Sequence, residues 1–498
     1  MRGFLQATFS GAATASALRE RYGPRYRWLL LLSVLAGTIA SLIPSTSVNV
    51  AIPAMSAYFE LGQARAQWIT SGFMVASTVA MLTTPWLLTR FGYRATYVGA
   101  AALLALGALM GGVAQYFPLV LASRVAEGIA AGIIQPIPAV IILHAFQPHE
   151  QGRAGGLFGM GVVLAPAISP ALGGMLTDLM GWRSTFFMVI PVALGSLWLG
   201  LKFVPHSSPG GGKVGENSSR LDWIGLTLGA GGTLSLLNGM AQLHNEPRGP
   251  AYMLLALALA LLAGFVVWQK ILLQRGFKPL MDLRLFSCRP FVMGCIVSAA
   301  YGTAMFGSTY LLPLFMQMGI GLSASYAGNL LLPAGLVLAL TFPIVGRLAD
   351  KQPTHWLVSI GLGLLALSFA LMIFVGSGTA LWLLAAFIIV GRIGLGFILP
   401  SLNLGAMRPL EKSMIAQGSS TISFIRMLGG AAGVSLCGIV LQWRMAVHAA
   451  DPTLNTKAAQ LISFHECFAL LTALCLLALL AATQLRSPHS DATKTKPD

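Results

Sequence analysis

Two charged side chains stand three residues apart in an otherwise apolar stretch, LVLASRVAEGIAAGIIQP (119–136). On a helix, Arg124 and Glu127 would lie on one face and could form an ion pair. A charge at the centre of a membrane helix costs about 2.5–3.5 kcal/mol, so the pair must face protein or water. Burial disfavours the carboxylate and the guanidinium favours it, a balance that suits a proton carrier. The alternative is a structural ion pair that ties this helix to a neighbour.

Carboxylates are scarce in the apolar parts of the chain. There are 15 Asp and Glu residues against 31 Lys and Arg, and only Glu127 falls in the middle of an apolar segment. If protons drive this protein through a membrane carboxylate, Glu127 is the single candidate, and Arg124 is the group that modulates its protonation.

The composition is that of an integral membrane protein. Of 498 residues, 56% are hydrophobic and 9% charged, with a mean hydropathy of +0.76, whereas soluble domains are about 25% charged. Apolar runs of about 20 residues recur between short polar connections. They predict about fourteen membrane helices: 28–53, 67–88, 96–115, 118–143, 153–177, 184–204, 222–243, 251–273, 291–318, 325–347, 356–376, 380–404, 415–443 and 463–485.

The net charge of +16 is explained by topology. With both termini cytoplasmic, about 23 Lys and Arg fall on cytoplasmic segments and about five outside, as the positive-inside rule requires. These residues are expected to contact lipid headgroups, and a nucleic-acid partner is not expected. Basic residues lead directly into the first span without a cleavable signal pattern.

A weak repeat divides the chain into halves. PWLLTRFGYR (85–94) is similar to GRLADK (346–351), and such repeats are typical of transporters built from two pseudo-symmetric bundles. The predicted organisation is a basic N-terminal tail (1–27), a six-helix bundle (28–204), a linker (205–221), two inserted helices (222–273), a basic loop (274–290), a second six-helix bundle (291–485) and a C-terminal tail (486–498).

The sequence lacks the residue patterns that several kinds of chemistry require. GGGK (210–213) lacks the spacing of a phosphate-binding loop, so ATP is not the expected energy source. No Ser/His/Asp set, paired carboxylates or metal-ligand spacing supports an enzyme, a metal site or a cofactor. The proton-motive force is the expected drive.

Motifs in order along nearly the whole chain resemble the major facilitator superfamily, in its fourteen-helix branch of EmrB/QacA-type drug:proton antiporters. The motifs are SVNVAIP (47–53), QWITSGFM (67–74), Arg124 with Gly128 and Gly132, LAPAISPALGG (164–174), GWRSTFF (181–187), PLMDLRLF (279–286) and FIRMLGGAAG (424–433). The resemblance implies two six-helix bundles plus two extra helices, and transport by alternating access.

Three positions depart from the pattern that this resemblance implies. Pro44 stands where the first-helix motif usually has Asp, Thr89 where the loop motif has Asp, and Glu127 where the fourth helix has Gln. One membrane carboxylate is missing and another has appeared, which favours relocated proton coupling. A facilitator that has lost coupling is the alternative.

Two further groups of residues are candidates. Charge pairs and flexible helix positions are expected to latch and bend the bundles, at Arg90, Gly92, Arg94, Pro166, Pro170, Gly173, Gly174, Arg347, Asp350 and Lys351, with Arg426 fixing a helix end or carbonyls. The expected substrate pocket comprises Asn49, Tyr301, Met305, Phe306, Tyr310, Arg392 and Asn403, although aromatic and Met stripes also occur as plain packing.

The expected function is proton-coupled export of hydrophobic, cationic compounds across a bacterial inner membrane. Alternatives are export of anionic amphiphiles such as fatty acids, uncoupled facilitation, and a membrane scaffold or sensor that does not transport. Expected partners are small hydrophobic substrates, protons and membrane lipids, with a periplasmic adaptor and an outer-membrane channel as further candidates.

Overall fold

The computed structural model describes residues 14–207, 220–243, 249–376, 378–449 and 456–485, and the regular structure of these residues is helical. The predicted linker and C-terminal tail fall mostly outside them. The helices are α1 (Ala15–Tyr22), α2 (Tyr26–Tyr58), α3 (Gln63–Gly112), α4 (Phe117–Ile134), α5 (Ile137–Ala145), α6 (Gln151–Met180), α7 (Ser184–Phe187), α8 (Val189–Phe203), α9 (Trp223–Gln242), α10 (Gly249–Gln274), α11 (Arg289–Leu314), α12 (Ala324–Ala349), α13 (Thr354–Met372), α14 (Leu381–Met407), α15 (Ile415–Ala449) and α16 (Thr456–Ala482).

Twelve segments of the described chain are long and apolar enough to cross a membrane, where the sequence predicts fourteen. The difference has two sources. The predicted spans 67–88 and 96–115 form one segment, α3, and α9 is a 20-residue helix outside the twelve because its glycines, threonines and Asn238 lower its hydropathy. The count of fourteen and the cytoplasmic placement of the termini stay predictions.

The long helix α3 is broken at Gly92. Its 50 residues would measure about 75 Å as a straight helix, more than twice the bilayer core of about 30 Å. Gly92 has φ 83° and ψ 170°, a conformation that side chains disfavour and glycine accepts. The helical path therefore divides into two lengths that each suit one crossing.

The predicted span 118–143 is also interrupted. Helix α4 ends at Ile134 and α5 begins at Ile137, because Pro136 and Pro138 lack the N–H groups that a continuous helix would use. The carbonyl of Pro136 accepts a hydrogen bond of 2.8 Å from the Ser419 hydroxyl. This bond joins the two halves of the chain and places Gln135 at their interface.

Glycines allow α4 to lie directly against α3. A Cβ atom at Gly132 would overlap the Ser77 carbonyl and lie 2.8 Å from the Ala80 methyl, and one at Gly128 would stand 2.9 Å from the Ala76 methyl. Small residues permit such close helix contacts in membranes. The pair Arg124 and Glu127 lies on this tightly packed helix.

Gly132→Ala is therefore expected to lower the free energy of unfolding of the purified protein by about 1–3 kcal/mol, the usual range for overpacking, and so to lower its melting temperature. Gly99→Ala is the matched control, since a Cβ there has no neighbour within 4 Å and Gly to Ala in a helix is neutral or stabilising. Equal melting temperatures for the two variants would contradict the close packing of α4 against α3.

The two halves meet closely along α6 and α12. A Cβ at Gly152 would overlap the Gly346 carbonyl, and one at Gly156 would overlap the Phe342 carbonyl and stand 3.0 Å from the Gly346 Cα. These contacts occupy the start of α6 and the end of α12. In the predicted topology, they close the cytoplasmic side of the protein.

Candidate functional site

Arg124 and Glu127 form a fully buried ion pair. Their side chains have no exposed surface, and Arg124 Nη1 donates to Glu127 Oε2 at 2.6 Å. Arg124 Nε also donates to the carbonyl oxygen of Ile69 on α3 at 3.1 Å. The guanidinium carbon lies 4.5 Å from the centre of the Phe73 ring. The pair therefore connects α4 to α3.

Two of the five side-chain polar atoms of this pair lack hydrogen-bond partners among the described residues. Arg124 Nη2 and Glu127 Oε1 are buried without a hydrogen bond. A Cβ at Gly107 would lie 3.1 Å from Glu127 Cγ, so the second length of α3 packs against the carboxyl-bearing side chain. A buried ion pair stabilises a fold only when its remaining hydrogen bonds are also made. This pair is therefore poorly suited to a purely structural role.

The structure corrects the count of membrane carboxylates. Glu466 stands near the start of the predicted span 463–485, but the last helix begins at Thr456, so Glu466 lies a full ten residues inside a candidate span. Glu466 accepts hydrogen bonds from Arg444, and His448 Nε2 lies 3.2 Å from its carboxylate. Glu466 is partly exposed, at 33% of its side chain, whereas Glu127 is fully buried. Glu127 is therefore one of two carboxylates to test.

A cavity lies between the two halves. From the N-terminal half it is lined by Thr38, Leu42, Gln135, Ala139, Ile142, Leu143, Gly155, Phe158, Gly159 and Val162, and from the C-terminal half by Phe342, Leu399, Pro400, Asn403, Leu404, Met407, Ser419, Ser423 and Arg426. The cavity volume is about 90 Å³, smaller than the roughly 300–1,000 Å³ of a typical small-molecule site. Phe342 belongs both to this lining and to the α6–α12 contact.

The predicted substrate residues are scattered by the fold. Asn403 lines the cavity, whereas Asn49 is exposed and accepts a hydrogen bond from Thr70 at 3.0 Å. Tyr301 is 1% exposed and belongs to the core of the second bundle, with Met305 and Tyr310 packed beside it. The Phe306 ring packs where a Cβ of Gly430 would stand, and Arg392 is half-buried on α14. The aromatic stripe of α11 is therefore mainly packing.

Arg426, expected to fix a helix end or carbonyls, lies inside α15 and faces the cavity. It stands eleven residues after the first residue of α15, its side chain lines the cavity, and its Nη2 donates to Ser423 Oγ at 3.5 Å. The position of Arg426 in the cavity lining could not be predicted from the sequence, because it depends on how α15 packs against the helices that face it.

Asp350 fastens the second half to the first. Its carboxylate oxygens accept hydrogen bonds from the backbone N–H groups of Gly152 at 2.6 Å and Arg153 at 2.8 Å, at the start of α6. Negative charge is favoured at a helix N-terminus. Burial raises the pKa of Asp350 above its ordinary value, and these two N–H groups act against that effect. We call these contacts the Asp350 latch.

Arg408 completes the Asp350 latch and was not anticipated from the sequence. Its Nη2 donates to the Pro148 carbonyl at 2.7 Å and lies 4.0 Å from Asp350 Oδ1, and its Nε donates to Gln151 Oε1 at 3.2 Å. At this interface, the Asp350 carboxylate and the Arg408 guanidinium bind backbone groups and the Gln151 side chain of the first half.

The other predicted gating residues lie apart from the latch. Arg94 donates to the carbonyl of Leu201 within its own half, and Arg90, Arg347 and Lys351 are exposed. The remaining positions are helical: Pro166 and Pro170 stand inside α6, a Cβ at Gly173 would be 3.0 Å from Ser47 Cβ, and one at Gly174 would be 3.5 Å from Val50.

Asp350→Asn is expected to weaken the Asp350 latch and to increase the fraction of molecules whose cavity is open on the side where the latch lies. Hydrogen bonds to a charged group are worth about 1.5–3 kcal/mol, so the open population should rise roughly tenfold. The measurement is maleimide labelling of Ala139→Cys, in the cavity lining, from the latch side of membrane vesicles. The background carries Cys288→Ser, since Cys288 is the one cysteine of five that is not buried.

The matched control is Asp178→Asn, which removes an exposed carboxylate at the opposite end of α6. It should leave the labelling rate unchanged. If Asp350→Asn labels no faster than Asp178→Asn, the Asp350 latch does not hold the halves together.

The chain is similar over most of its length to curated proteins that are named for drug export or for resistance. A multidrug resistance protein B homolog of Mycobacterium tuberculosis is 30% identical over 420 residues, covering 82% of this chain and 75% of the relative. The multidrug export protein EmrB of Haemophilus influenzae is 27% identical (84% and 81% covered). The fatty acid resistance protein FarB of Neisseria gonorrhoeae is 26% identical (86% and 83% covered).

Among solved structures, the proton:xylose symporter XylE superposes with a TM-score of 0.63 at 14% identity, covering 92% of this chain and 95% of that one. This likeness supports the fold alone. Residues 34–434 match the profile of the Major Facilitator Superfamily. The protein is a multi-pass membrane transporter, not an enzyme, and the chain belongs to the Major Facilitator Superfamily.

Proposed function

We propose that this transporter exports hydrophobic compounds across the inner membrane in exchange for protons, and that Glu127 carries the proton. The observation that carries the proposal is the buried pair of Arg124 and Glu127, in which one nitrogen and one oxygen have no partner among the described residues. A carboxyl group that is buried, beside a guanidinium and incompletely bonded can exchange a proton when its surroundings change.

The pair is placed where a movement of the bundle would reach it. Arg124 bonds to the Ile69 carbonyl on the first length of α3, and Gly107 on the second length faces Glu127. The same helix α4 ends beside Gln135, which lines the cavity. A shift of α4 against α3 on substrate binding would change the Arg124 bond to Ile69 and the packing of Gly107 against Glu127, and so the proton affinity of the carboxylate.

The Asp350 latch supports alternating access. With the latch closed, α6 and α12 meet at their glycines and the cavity is shut from the predicted cytoplasmic side. Separation of Asp350 from the start of α6 would open that side to substrate. One proton moving down about 100 mV releases roughly 2.3 kcal/mol and a unit of pH about 1.4 kcal/mol, enough for a gradient on the order of several hundredfold for a neutral substrate.

The named activities of the relatives support export. Two are multidrug proteins and one is a fatty acid resistance protein, so both cationic drugs and anionic amphiphiles are candidate substrates. A periplasmic adaptor and an outer-membrane channel remain candidate partners.

The test uses proteoliposomes with an acidic interior. A proton antiporter should accumulate a permanently charged hydrophobic compound inside them, and a protonophore should abolish the accumulation. Ethidium and decanesulfonate are suitable compounds, because their charge does not change with pH, and protein-free vesicles give the background. Equilibration that ignores the pH gradient would favour the uncoupled facilitator and contradict the proposal.

A further inference from the structure

The charge of the cavity lining is positive. Its described residues are mostly apolar, with Phe158, Phe342 and Leu399 among them, and Arg426 is the one charged side chain. No Asp or Glu belongs to the lining that the structure describes. A cationic compound in this cavity would meet a cation and no opposite charge.

Arg426 has no carboxylate partner among the described residues. Its one recorded hydrogen bond runs to Ser423 Oγ at 3.5 Å, the limit of a useful hydrogen bond. By contrast, two other guanidinium groups in candidate spans are paired with carboxylates on the same or a neighbouring helix, namely Arg124 with Glu127 and Arg444 with Glu466.

Arg392, on α14, is a second guanidinium in the same half of the protein. Arg392 and Arg426 both lie close enough to Tyr301 to interact with its hydroxyl electrostatically, and no ion pair of Arg392 is recorded in the described chain. Two cations thus stand in one bundle without a nearby carboxylate among the described residues. Charges at membrane depth are expensive and typically mark a substrate path or a counter-ion site.

We propose that the cavity binds amphiphiles with an anionic head group, and that Arg426 receives that group. The proposal rests on the proposed function, since it names the substrate class of the same transporter. The guanidinium offers several N–H donors in a plane, which suits a carboxylate or sulfonate. Asn403 and Gln135 add neutral polar groups, and the apolar lining accommodates the tail.

Binding of three amphiphiles with the same tail tests the proposal. Decanesulfonate, decyltrimethylammonium and decanol differ only in the head group and its charge. Their dissociation constants are measured by calorimetry on the purified full-length protein in nanodiscs, with empty nanodiscs subtracted. The wild type is expected to bind decanesulfonate at least tenfold more tightly than decyltrimethylammonium, because unlike charges attract and like charges repel.

Variants assign the effect to Arg426. Arg426→Gln should weaken decanesulfonate binding by about tenfold or more, a typical loss for a charge-assisted contact, and leave decanol unchanged. Arg426→Lys should retain most of the affinity. Arg289→Gln is the matched control, since Arg289 pairs with Gln484 at the exposed start of α11, and it should bind as the wild type does.

Two results would overturn the inference: equal binding of decanesulfonate by the wild type and Arg426→Gln, or tighter binding of the cationic amphiphile. The binding experiment and the transport experiment test the two proposals independently. Charge-selective binding with no proton-driven uptake would contradict the proposed function alone, and proton-driven uptake of decyltrimethylammonium with no preference for the anion would contradict this inference alone.

Discussion

Glu127→Gln is expected to abolish substrate-dependent proton movement while the protein stays folded. Gln keeps the shape of the side chain and an oxygen that can accept the hydrogen bond from Arg124, but it cannot take up or release a proton. The measurement is proton flux in proteoliposomes on addition of substrate, reported by an internal pH dye. A loss of at least tenfold is expected, with downhill movement of substrate retained.

Glu466→Gln is the matched control for that experiment. It makes the same change at another carboxylate within a candidate span, where Glu466 is partly exposed and bound by Arg444. Coupling should survive in this variant. If Glu466→Gln loses coupling and Glu127→Gln keeps it, the proton passes through the cluster of Arg444, His448 and Glu466.

Arg124→Gln is expected to destabilise the protein more than Gly132→Ala. Removing one member of a buried ion pair typically costs about 3–5 kcal/mol, because the other charge is left without compensation. The substitution also removes the bond to the Ile69 carbonyl and the contact with the Phe73 ring. Thermal unfolding in detergent should show a lower midpoint and a lower yield of folded protein.

The double variant separates charge from shape. When Glu127→Gln is combined with Arg124→Gln, no unpaired carboxylate remains, so the double variant should regain at least half of the unfolding free energy that Arg124→Gln loses. Substrate-dependent proton movement should not return. A double variant less stable than Arg124→Gln alone would show that the carboxylate stabilises the fold by contacts other than its pairing with Arg124.

The sequence predicted the fold well where composition and length decide it. Long apolar segments can satisfy their backbone only as helices in a membrane, and the observed helices lie close to the predicted spans. The break at Gly92 falls between the predicted spans 67–88 and 96–115, whereas the break at Gln135–Pro136 inside the span 118–143 was missed. A window of hydropathy averages over one unusual residue, whereas the missing N–H of Pro136 acts locally.

The candidate site was partly predictable. The spacing of Arg124 and Glu127 indicated their pairing, because three residues along a helix fix their relative position. The cavity lining was not predictable, since Arg426 and Gln135 meet only through the packing of separate helices. The Asp350 latch was foreseen as a pair of charges, yet Asp350 binds the backbone N–H groups of Gly152 and Arg153, which carry no signal in the sequence.

The most direct test of the central claim is proton release on substrate binding. Purified protein in weakly buffered detergent solution is mixed with substrate, and a pH indicator records the protons released by the wild type, Glu127→Gln and Glu466→Gln. The proposed coupling predicts release by the wild type and Glu466→Gln and none by Glu127→Gln. Equal release by the wild type and Glu127→Gln would contradict it, and Glu127 would then serve only to keep Arg124 paired within the membrane.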